Sequence, residues 1–321
     1  MIDVFRVSRP GPYTTVQDKG RYGYQQYGVP PTGALDQFAY RVANLLVGNP
    51  QGSAVLELTV FGPALEALAE ANIAITGADM PIRLNDDPVE TWTCFKIKSG
   101  DRLDIGLVRS GCRGYLAVTG GIDVPVVMGS RSTYVGAKVG GYAGRILATG
   151  DVISCGEGTP MRVPLQLPQK FIPRYAPEID LRAIPGPQND FFDQGFTTLF
   201  SSEFTVDTHS NRMGYRLKGP KVAQRAGMPK SIISEPTLSG GIQVPADGQP
   251  IIVLVEQTAG GYTKIATVIS ADIPLIAQAK PGDRIRFKQV DLKTAHAAFR
   301  RQEQIIAEIK THLAGNRCSP K

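Results

Sequence analysis

Apolar positions recur along the chain with two different periods. Residues 251–255 form a short aliphatic run typical of a central strand, and residues 242–244 alternate apolar and polar, so Gln243 can point away from the buried face. Helical spacing appears at residues 35–46 and 292–314, where two amphipathic helices are expected, and residues 64–69 predict a short helical turn. The pattern favours a mainly β chain with a few helices.

Composition supports this picture and narrows the range of partners. The 321 residues include 35 glycines and 24 prolines, which is typical of many short strands joined by tight turns. The net charge is +6, but lysines and arginines are scattered and never run beyond a pair. We therefore expect no nucleic-acid partner, and an anionic small substrate or solubility explains the charge equally well.

Targeting and metal signals are missing from the sequence. No apolar run approaches the roughly 18 residues that a membrane span needs, and the first residues contain no secretory apolar region. The four cysteines lie far apart without a C-x-x-C pair, and the three histidines form no ligand pattern. These observations predict a cytoplasmic protein with reduced thiols, no membrane contact and no metal site.

Short motifs recur in the same order in the two halves of the chain. Residues 21–24 (RYGY) resemble residues 212–215 (RMGY), and residues 100–103 (GDRL) resemble residues 282–285 (GDRI). Glu57 has a possible counterpart in Glu235. The order predicts duplication of one β-rich unit. We expect a first half at residues 1–165 with an extra arm at 106–157, a second half at 166–289, and a C-terminal helix and tail at 290–321.

A dense group of polar residues follows the predicted strand at 251–255. Gln257, Thr258 and Tyr262 flank Gly260 and Gly261, which would let a ligand approach the backbone closely. This arrangement indicates a binding or catalytic loop. A glycine-rich hairpin with internally satisfied polar groups remains an alternative.

A second polar group lies between glycines at residues 130–133. Ser130, Arg131, Ser132 and Thr133 could form an anion-binding nest, because backbone N–H groups and arginine both favour carboxylate or phosphate. An ordinary Ser/Thr-rich loop is the alternative. No nucleotide-binding glycine motif occurs here.

Several longer stretches together resemble one protein family. They are TTVQD at residues 14–18, MGSRST at 128–133, NRMGYRL at 211–217, GIQVP at 241–245 and QTAGGY at 257–262. The sequence resembles the allophanate hydrolase subunit 2, or KipA-like, family, also called the C-type subunit of 5-oxoprolinase. The same module is similar to part of the carboxyltransferase region of urea carboxylase.

The resemblance implies a fold, partners and a reaction. It implies tandem cyclophilin-like β-barrel units that assemble with a KipI-like B-type subunit and an A-type subunit. The complex would convert 5-oxoproline to L-glutamate with hydrolysis of ATP. Two alternatives remain: a non-catalytic binding partner of a KipI-like kinase inhibitor, and a biotin-dependent carboxyltransferase component that acts on urea or a related amide.

Both family reactions place negative charge on a lactam or ureido oxygen, which needs hydrogen-bond donors, and an anionic group, which needs arginine. The residues expected to take part in catalysis are Gln257, Thr258, Tyr262, Arg212, Glu57 and Glu235. The residues expected to bind substrate are Gln17, Arg21, Ser130, Arg131, Ser132, Thr133, Gln243, Gly260 and Gly261. The sequence departs from the family pattern at Ala259, where the family has a threonine. The hydroxyl contact expected there is absent, and this bears on the identity of the substrate.

Overall fold

The computed structural model describes residues 1–159 and 164–318 and divides into two compact units. Unit 1 comprises Met1–Arg21, Thr32–Tyr175 and Glu303–Lys321, and unit 2 comprises Tyr22–Pro31 and Ala176–Gln302. Each unit has its own hydrogen-bonded sheets.

Unit 1 consists of two antiparallel sheets and the helix α1. Its elements are β1 (Ile2–Arg9), β2 (Thr14–Gln17), α1 (Gln37–Leu46), β3 (Val55–Thr59), β4 (Ala64–Ala67), β5 (Ala71–Asp79), β6 (Ile82–Leu84), β7 (Asp87–Val89), β8 (Cys94–Ile97), β9 (Arg102–Ile105), β10 (Ser110–Val118) and β11 (Val152–Cys155). One sheet has the order β11-β1-β4-β9-β6-β7 and the other β2-β3-β10-β5-β8. Their inner faces share a core that includes Phe5, Leu56 and Ile73, each fully buried.

Unit 2 contains a closed barrel. Its elements are β12 (Glu178–Pro185), α2 (Gln194–Ser201), β13 (Glu203–Val206), β14 (Gly214–Lys218), β15 (Glu235–Pro236), β16 (Gly241–Val244), β17 (Ile251–Val253), β18 (Ala259–Gly260), β19 (Thr263–Val268), α3 (Ile273–Ala277) and β20 (Arg284–Gln289), followed by the long helix α4 (Leu292–Cys318). The barrel order is β12-β19-β16-β17-β14-β13-β20, and parallel pairing of β12 with β20 closes it. β15 and β18 form a separate two-stranded sheet.

The predicted helix at residues 35–46 is confirmed as α1. The Asp36 side chain accepts a hydrogen bond from the Ala39 N–H at 2.9 Å and so caps its first turn. Gly48, with a φ of 84°, follows its end. The helical turn predicted at residues 64–69 is wrong, because residues 64–67 form β4 between β1 and β9 and bury Leu65 and Ala67 in the core.

The predicted C-terminal helix is confirmed as α4, and its later turns pack within unit 1. Ile306, Ile309 and Leu313 are buried in the cluster that covers α1. Phe299, in an earlier turn of the helix, is 47% exposed. Arg41 on α1 donates two hydrogen bonds to the Glu303 carboxylate at 2.5 and 2.8 Å, which fixes the position of this helix segment.

The repeated GDR motif forms the same turn in both units. Gly100 and Gly282 have φ values of 90° and 92°, where a side chain would be strained. Asp101 accepts a hydrogen bond from the Lys98 N–H, and Asp283 accepts one from the Lys280 N–H. β9 and β20 follow these turns directly, which supports the duplication inferred from the sequence.

The expectation of a mainly β chain with a few helices is confirmed. Residues 106–157, expected to form an arm, supply β10 and β11, which pair within the two sheets of unit 1. Cys94, Cys112 and Cys155 are buried thiols, and burial raises the pKa of Cys155. None of the helices in the described part of the chain is long and apolar enough to cross a membrane.

The fold predicts that α4 contributes directly to the stability of unit 1. Replacing Ile309, which is fully buried, with Ala should lower the free energy of unfolding by about 2–5 kcal/mol through lost burial and a residual cavity. Chemical denaturation measures this change, with the exposed neighbour substituted by Lys310→Ala as the control. Equal stability of the two variants would contradict this packing.

Candidate functional site

Gly260 lies against two glutamine side chains in unit 2. A Cβ atom built on Gly260 would be 2.5 Å from Nε2 of Gln243 and 2.9 Å from Nε2 of Gln257. The Gln257 nitrogen also donates to the Ala259 carbonyl at 3.2 Å. The missing side chain at position 260 therefore leaves both amide groups directly beside the backbone.

The Gln243 side chain is a buried donor without an acceptor. The residue is 1% exposed, and its Nε2 has no hydrogen-bond partner among the described residues. The sequence pattern predicts that Gln243 points away from the buried face; all four residues of β16 are buried, and the Gln243 side chain lies beside Gly260 of the separate β15–β18 sheet. An unsatisfied buried donor typically costs about 1–3 kcal/mol, which makes the Gln243 amide a candidate contact for a ligand.

Glu235 and Lys264 form an ion pair beside Gly260. The Lys264 ammonium donates to Oε1 of Glu235 at 2.6 Å and to the Pro236 carbonyl at 3.1 Å. Gln188 donates to the same Glu235 oxygen at 3.1 Å. The hydrogen bond from Lys264 holds the pKa of the Glu235 carboxyl below its ordinary value, and Gln188 lowers it further, against the effect of burial. Glu235 is therefore an ionised acceptor.

Arg212 is engaged in a second ion pair of unit 2. Its Nε lies 2.6 Å from Oε1 of Glu256, and the two side chains are 4% and 8% exposed. The backbone also joins these residues, since the Glu256 N–H donates to the Arg212 carbonyl. Removing one partner of such a pair leaves an unpaired buried charge. Substitution of Arg212 is therefore expected to lower the stability of the fold, whatever its effect on a reaction.

The remaining predicted residues of this loop lie near its surface. Thr258 and Gly261 accept backbone hydrogen bonds from Thr237 and Ile232 at 3.0 and 2.8 Å. Tyr262 is 44% exposed. The loop is thus held by its backbone and leaves the Tyr262 ring at the rim.

In unit 1 the predicted anion nest surrounds an internal carboxylate, Asp18. Its Oδ1 accepts hydrogen bonds from the hydroxyls of Ser130 and Ser132 at 2.6 and 2.5 Å and from the Gly20 N–H at 2.9 Å. Its Oδ2 accepts from the Arg131 N–H at 2.6 Å. The donors of the predicted nest therefore bind an anion, and that anion is the Asp18 carboxylate of the same chain.

The neighbouring polar side chains fasten the same loop. Arg21 is fully buried and donates to the carbonyls of Val127 and Ser132 at 3.0 and 2.8 Å. Burial lowers the pKa of Arg21 from its ordinary value, and the Asp18 carboxylate opposes this shift. Gln17 donates to the Thr133 carbonyl at 3.2 Å and accepts from the Gly33 N–H at 3.1 Å.

Arg131 and Glu57 also contact groups within unit 1. The Arg131 guanidinium lies 3.1 Å from the Asp123 carboxylate. Glu57 is fully buried in β3 and accepts a hydrogen bond from the Leu35 N–H at 2.9 Å, just before α1. Tyr115 lies opposite Glu57 on β10, and its pKa is raised by burial and by the charge of Glu57. Glu57 therefore anchors the entry to α1.

The structure thus places the predicted residues in two groups, one in each unit. Four residues with important contacts were not candidates: Asp18, Glu256, Lys264 and Gln188. The sequence carried a weak signal for two of them, since Asp18 belongs to the TTVQD motif and Glu256 directly precedes Gln257. Lys264 and Gln188 gave none, because their roles depend on pairing between distant strands.

Unit 1 also contains a cavity of about 640 Å³ that includes none of the predicted site residues. Its lining includes the indole of Trp92, the phenol of Tyr175 and the three arginines Arg83, Arg109 and Arg174. The Tyr175 hydroxyl donates to the Asp36 carboxylate at 3.0 Å, so this wall of the cavity is tied to the cap of α1.

The polar loops described above lie within one family match. Residues 27–289 match the family described as carboxyltransferase domain, subdomain A and B. The chain belongs to the carboxyltransferase domain family. The matched range includes both the loop at 130–133, which binds Asp18, and the Gly260 site, so the family covers parts of both units.

Relatives of two kinds align with nearly the whole chain. The C-type subunit of the Escherichia coli K12 5-oxoprolinase is 39% identical over 312 residues, which cover 97% of this chain and 99% of that protein. The urea amidolyase of Lachancea kluyveri is 36% identical over 95% of this chain, but only 18% of that protein is covered. The crystal structure of the K. lactis urea amidolyase matches with a TM-score of 0.89 and 34% identity, covering 95% of this chain and 20% of that one.

The contacts of Asp18 predict a stability effect. Asp18→Asn should lower the free energy of unfolding by about 2–3 kcal/mol, because a carboxylate that accepts four hydrogen bonds is replaced by a group that also donates. Amide exchange at Arg131 and Ser132 should accelerate in parallel.

Asp123→Asn is the matched control, since the Asp123 carboxylate forms a more exposed pair with Arg131 and its loss should change stability by about 1 kcal/mol or less. If Asp18→Asn behaved like this control, Asp18 would not be the anion that organises the loop.

Proposed function

We propose that this chain is the C-type subunit of an ATP-dependent 5-oxoprolinase, which converts 5-oxoproline to L-glutamate. The proposal includes a KipI-like B-type subunit and an A-type subunit as partners and places the complex in the cytoplasm. It is supported by the end-to-end alignment with proteins named as this subunit of 5-oxoprolinase from Escherichia coli and, at 32% identity, from Haemophilus influenzae.

The observation that carries the proposal is the unpartnered Gln243 nitrogen beside Gly260. A carbonyl oxygen is the acceptor that this donor needs, and a lactam supplies one. The two amides lie directly against Gly260, so a flat ring would bind there as the flexible Gln243 and Gln257 side chains move aside. As the lactam carbon is attacked, negative charge would develop on its oxygen and strengthen the hydrogen bonds from Gln243 and Gln257.

The other residues of this site have narrower roles. Glu235 is ionised, so it would accept a proton or a hydrogen bond rather than donate one. Tyr262, at the rim, is the proposed proton carrier. Thr258 and Gly261 would orient the loop through their backbone contacts.

The arginines expected to bind an anionic group of the substrate do not fit that role in this chain. Arg21, Arg131 and Arg212 are engaged with carbonyl groups or carboxylates of their own unit. We therefore derive no step through ATP on this chain and assign ATP use to the complex as a whole.

A carboxyltransfer reaction is the second candidate. A ureido carbonyl, as in urea or biotin, presents the same kind of acceptor to Gln243, and the chain aligns with about a fifth of the urea amidolyases. Biotin would then come from another protein. Binding of a KipI-like kinase inhibitor without catalysis remains the third alternative, and it predicts a complex that tolerates changes at Gln243.

A reconstitution assay tests the function. The chain is mixed with its A-type and B-type partners, and ATP-dependent release of glutamate from 5-oxoproline is followed with and without it. We expect release only in the complete mixture. Full activity without this chain would refute the 5-oxoprolinase role, and activity with urea instead of 5-oxoproline would favour carboxyltransfer.

The Gln243→Leu variant separates function from folding. It removes an unsatisfied donor and introduces an apolar side chain of similar size, so stability should be unchanged or slightly higher. Turnover of the complete mixture should fall about 10²-fold, because a donor to the developing oxyanion is lost. The exposed helix residue Gln194 provides the control Gln194→Leu. Unchanged turnover in Gln243→Leu would exclude the amide from the reaction.

Gly260→Ala tests whether the site needs an open backbone. The added Cβ would lie within 3 Å of both amide nitrogens and force these flexible side chains to move, so turnover should drop at least 10-fold with little loss of thermal stability. At Gly52 an added Cβ would meet nothing closer than 3.9 Å, so Gly52→Ala should retain activity. Wild-type turnover in Gly260→Ala would contradict the assigned ligand position.

A further inference from the structure

The strand that carries Gly260 has little support of its own. β15 and β18 contain two residues each, with Glu235 opposite Gly260 and Pro236 opposite Ala259, and neither belongs to the barrel. An isolated pair of short strands is marginally stable at best in water. Another contact must therefore hold Gly260 against Gln243.

Lys264 makes such a contact. It lies on the barrel strand β19, directly opposite Gln243 of β16, and the residue is 8% exposed. Its ammonium donates to the Glu235 carboxylate at 2.6 Å and to the Pro236 carbonyl at 3.1 Å. These acceptors belong to the two residues of β15. One side chain thus connects the strand that faces Gln243 to the strand that pairs with Gly260.

Gln188 aligns this contact from the other side. Its Oε1 accepts from the Lys264 N–H at 3.0 Å, and its Nε2 donates to Glu235 Oε1 at 3.1 Å. The Gln188 N–H also donates to the Lys264 carbonyl at 3.2 Å. The Glu235 carboxylate therefore accepts hydrogen bonds from two side chains, those of Lys264 and Gln188. Gln188 is itself hydrogen-bonded to the backbone of Lys264.

From this geometry we infer that Lys264 is a positioning residue of the Gly260 site. Through its ion pair with Glu235 it holds β15 and β18 on the barrel, so that the Gln257 amide and the Gly260 backbone stay in register with the Gln243 donor. The catalytic part of this inference rests on the proposed function, whereas the positional part concerns the chain alone.

A purely stabilising role would have a different signature. The Glu235 side chain is 40% exposed and the Lys264 side chain 10%, so water can solvate the Glu235 carboxylate when Lys264 is removed, which limits the loss of folding stability. Displacement of the strand pair would instead act on the site, where a misplacement of about 1 Å can cost about 10²-fold in rate.

The experiment measures position and rate in Lys264→Met and Lys264→Arg. In the isolated chain, amide exchange is followed at Ile232 and Thr237, whose N–H groups donate to Gly261 and Thr258. We expect at least 10-fold faster exchange in Lys264→Met and recovery in Lys264→Arg, whose guanidinium can reach the same acceptors. Arg286→Met, which removes a more exposed barrel ion pair with Glu203, should leave both amides unchanged.

In the complete mixture, Lys264→Met should lower kcat about 10²-fold with little change in KM, and Lys264→Arg should restore much of it. The double variant that combines Lys264→Met with Gln243→Leu should have the same kcat as Gln243→Leu alone, because both changes disrupt one arrangement. Wild-type exchange at Ile232 and Thr237 in Lys264→Met would overturn the inference.

Should Lys264→Met fail to fold, Glu235→Gln breaks the same ion pair from the exposed side, and the same two amides decide the outcome. Faster exchange without any 5-oxoprolinase activity in the wild-type mixture would retain the positional role and refute the proposed function instead. The two failures are therefore distinguishable.

Discussion

The strand register of the closed barrel determines where the polar side chains of unit 2 lie. Six residue pairs, from Glu178 opposite Arg284 to Ala183 opposite Gln289, close the barrel. β16 pairs with β17 on one side and with β19 on the other, so it has no free edge along which it could shift. This register puts the Gln243 side chain beside Gly260 of the separate β15–β18 sheet. There it is buried without an acceptor for its Nε2 among the described residues, which makes this one side chain central to the proposed site.

Sequence patterns predict the elements whose signals are local. The helices α1 and α4 follow from apolar spacing, and the turns at Gly100 and Gly282 follow from glycine and aspartate at fixed positions. The pattern at β4 wrongly predicts a helical turn because four residues carry no period of their own, and pairing with two distant strands decides their conformation. Local sequence patterns thus predict the longer elements, whereas the conformation of the shortest segments is decided by pairing with distant strands.

The same limit applies to the candidate site. Gln257, Thr258, Gly260 and Tyr262 are neighbours in sequence, so their grouping could be predicted. The pairing of Lys264 with Glu235 and of Arg212 with Glu256 spans 29 and 44 positions, and only the strand register brings these charges together. That Gln243 lacks an acceptor could not be predicted either, because it is a property of everything that surrounds the side chain.

Asp18 gives unit 1 an unusual independence from its surroundings. A nest that binds dissolved phosphate gains stability only as the phosphate concentration rises above its dissociation constant. Here the counter-ion is part of the polypeptide and accepts four hydrogen bonds, and its local concentration is set by the covalent chain. The hydrogen-bond donors of the loop at residues 130–133 are therefore always occupied, so the conformation of this loop does not depend on the anions in solution.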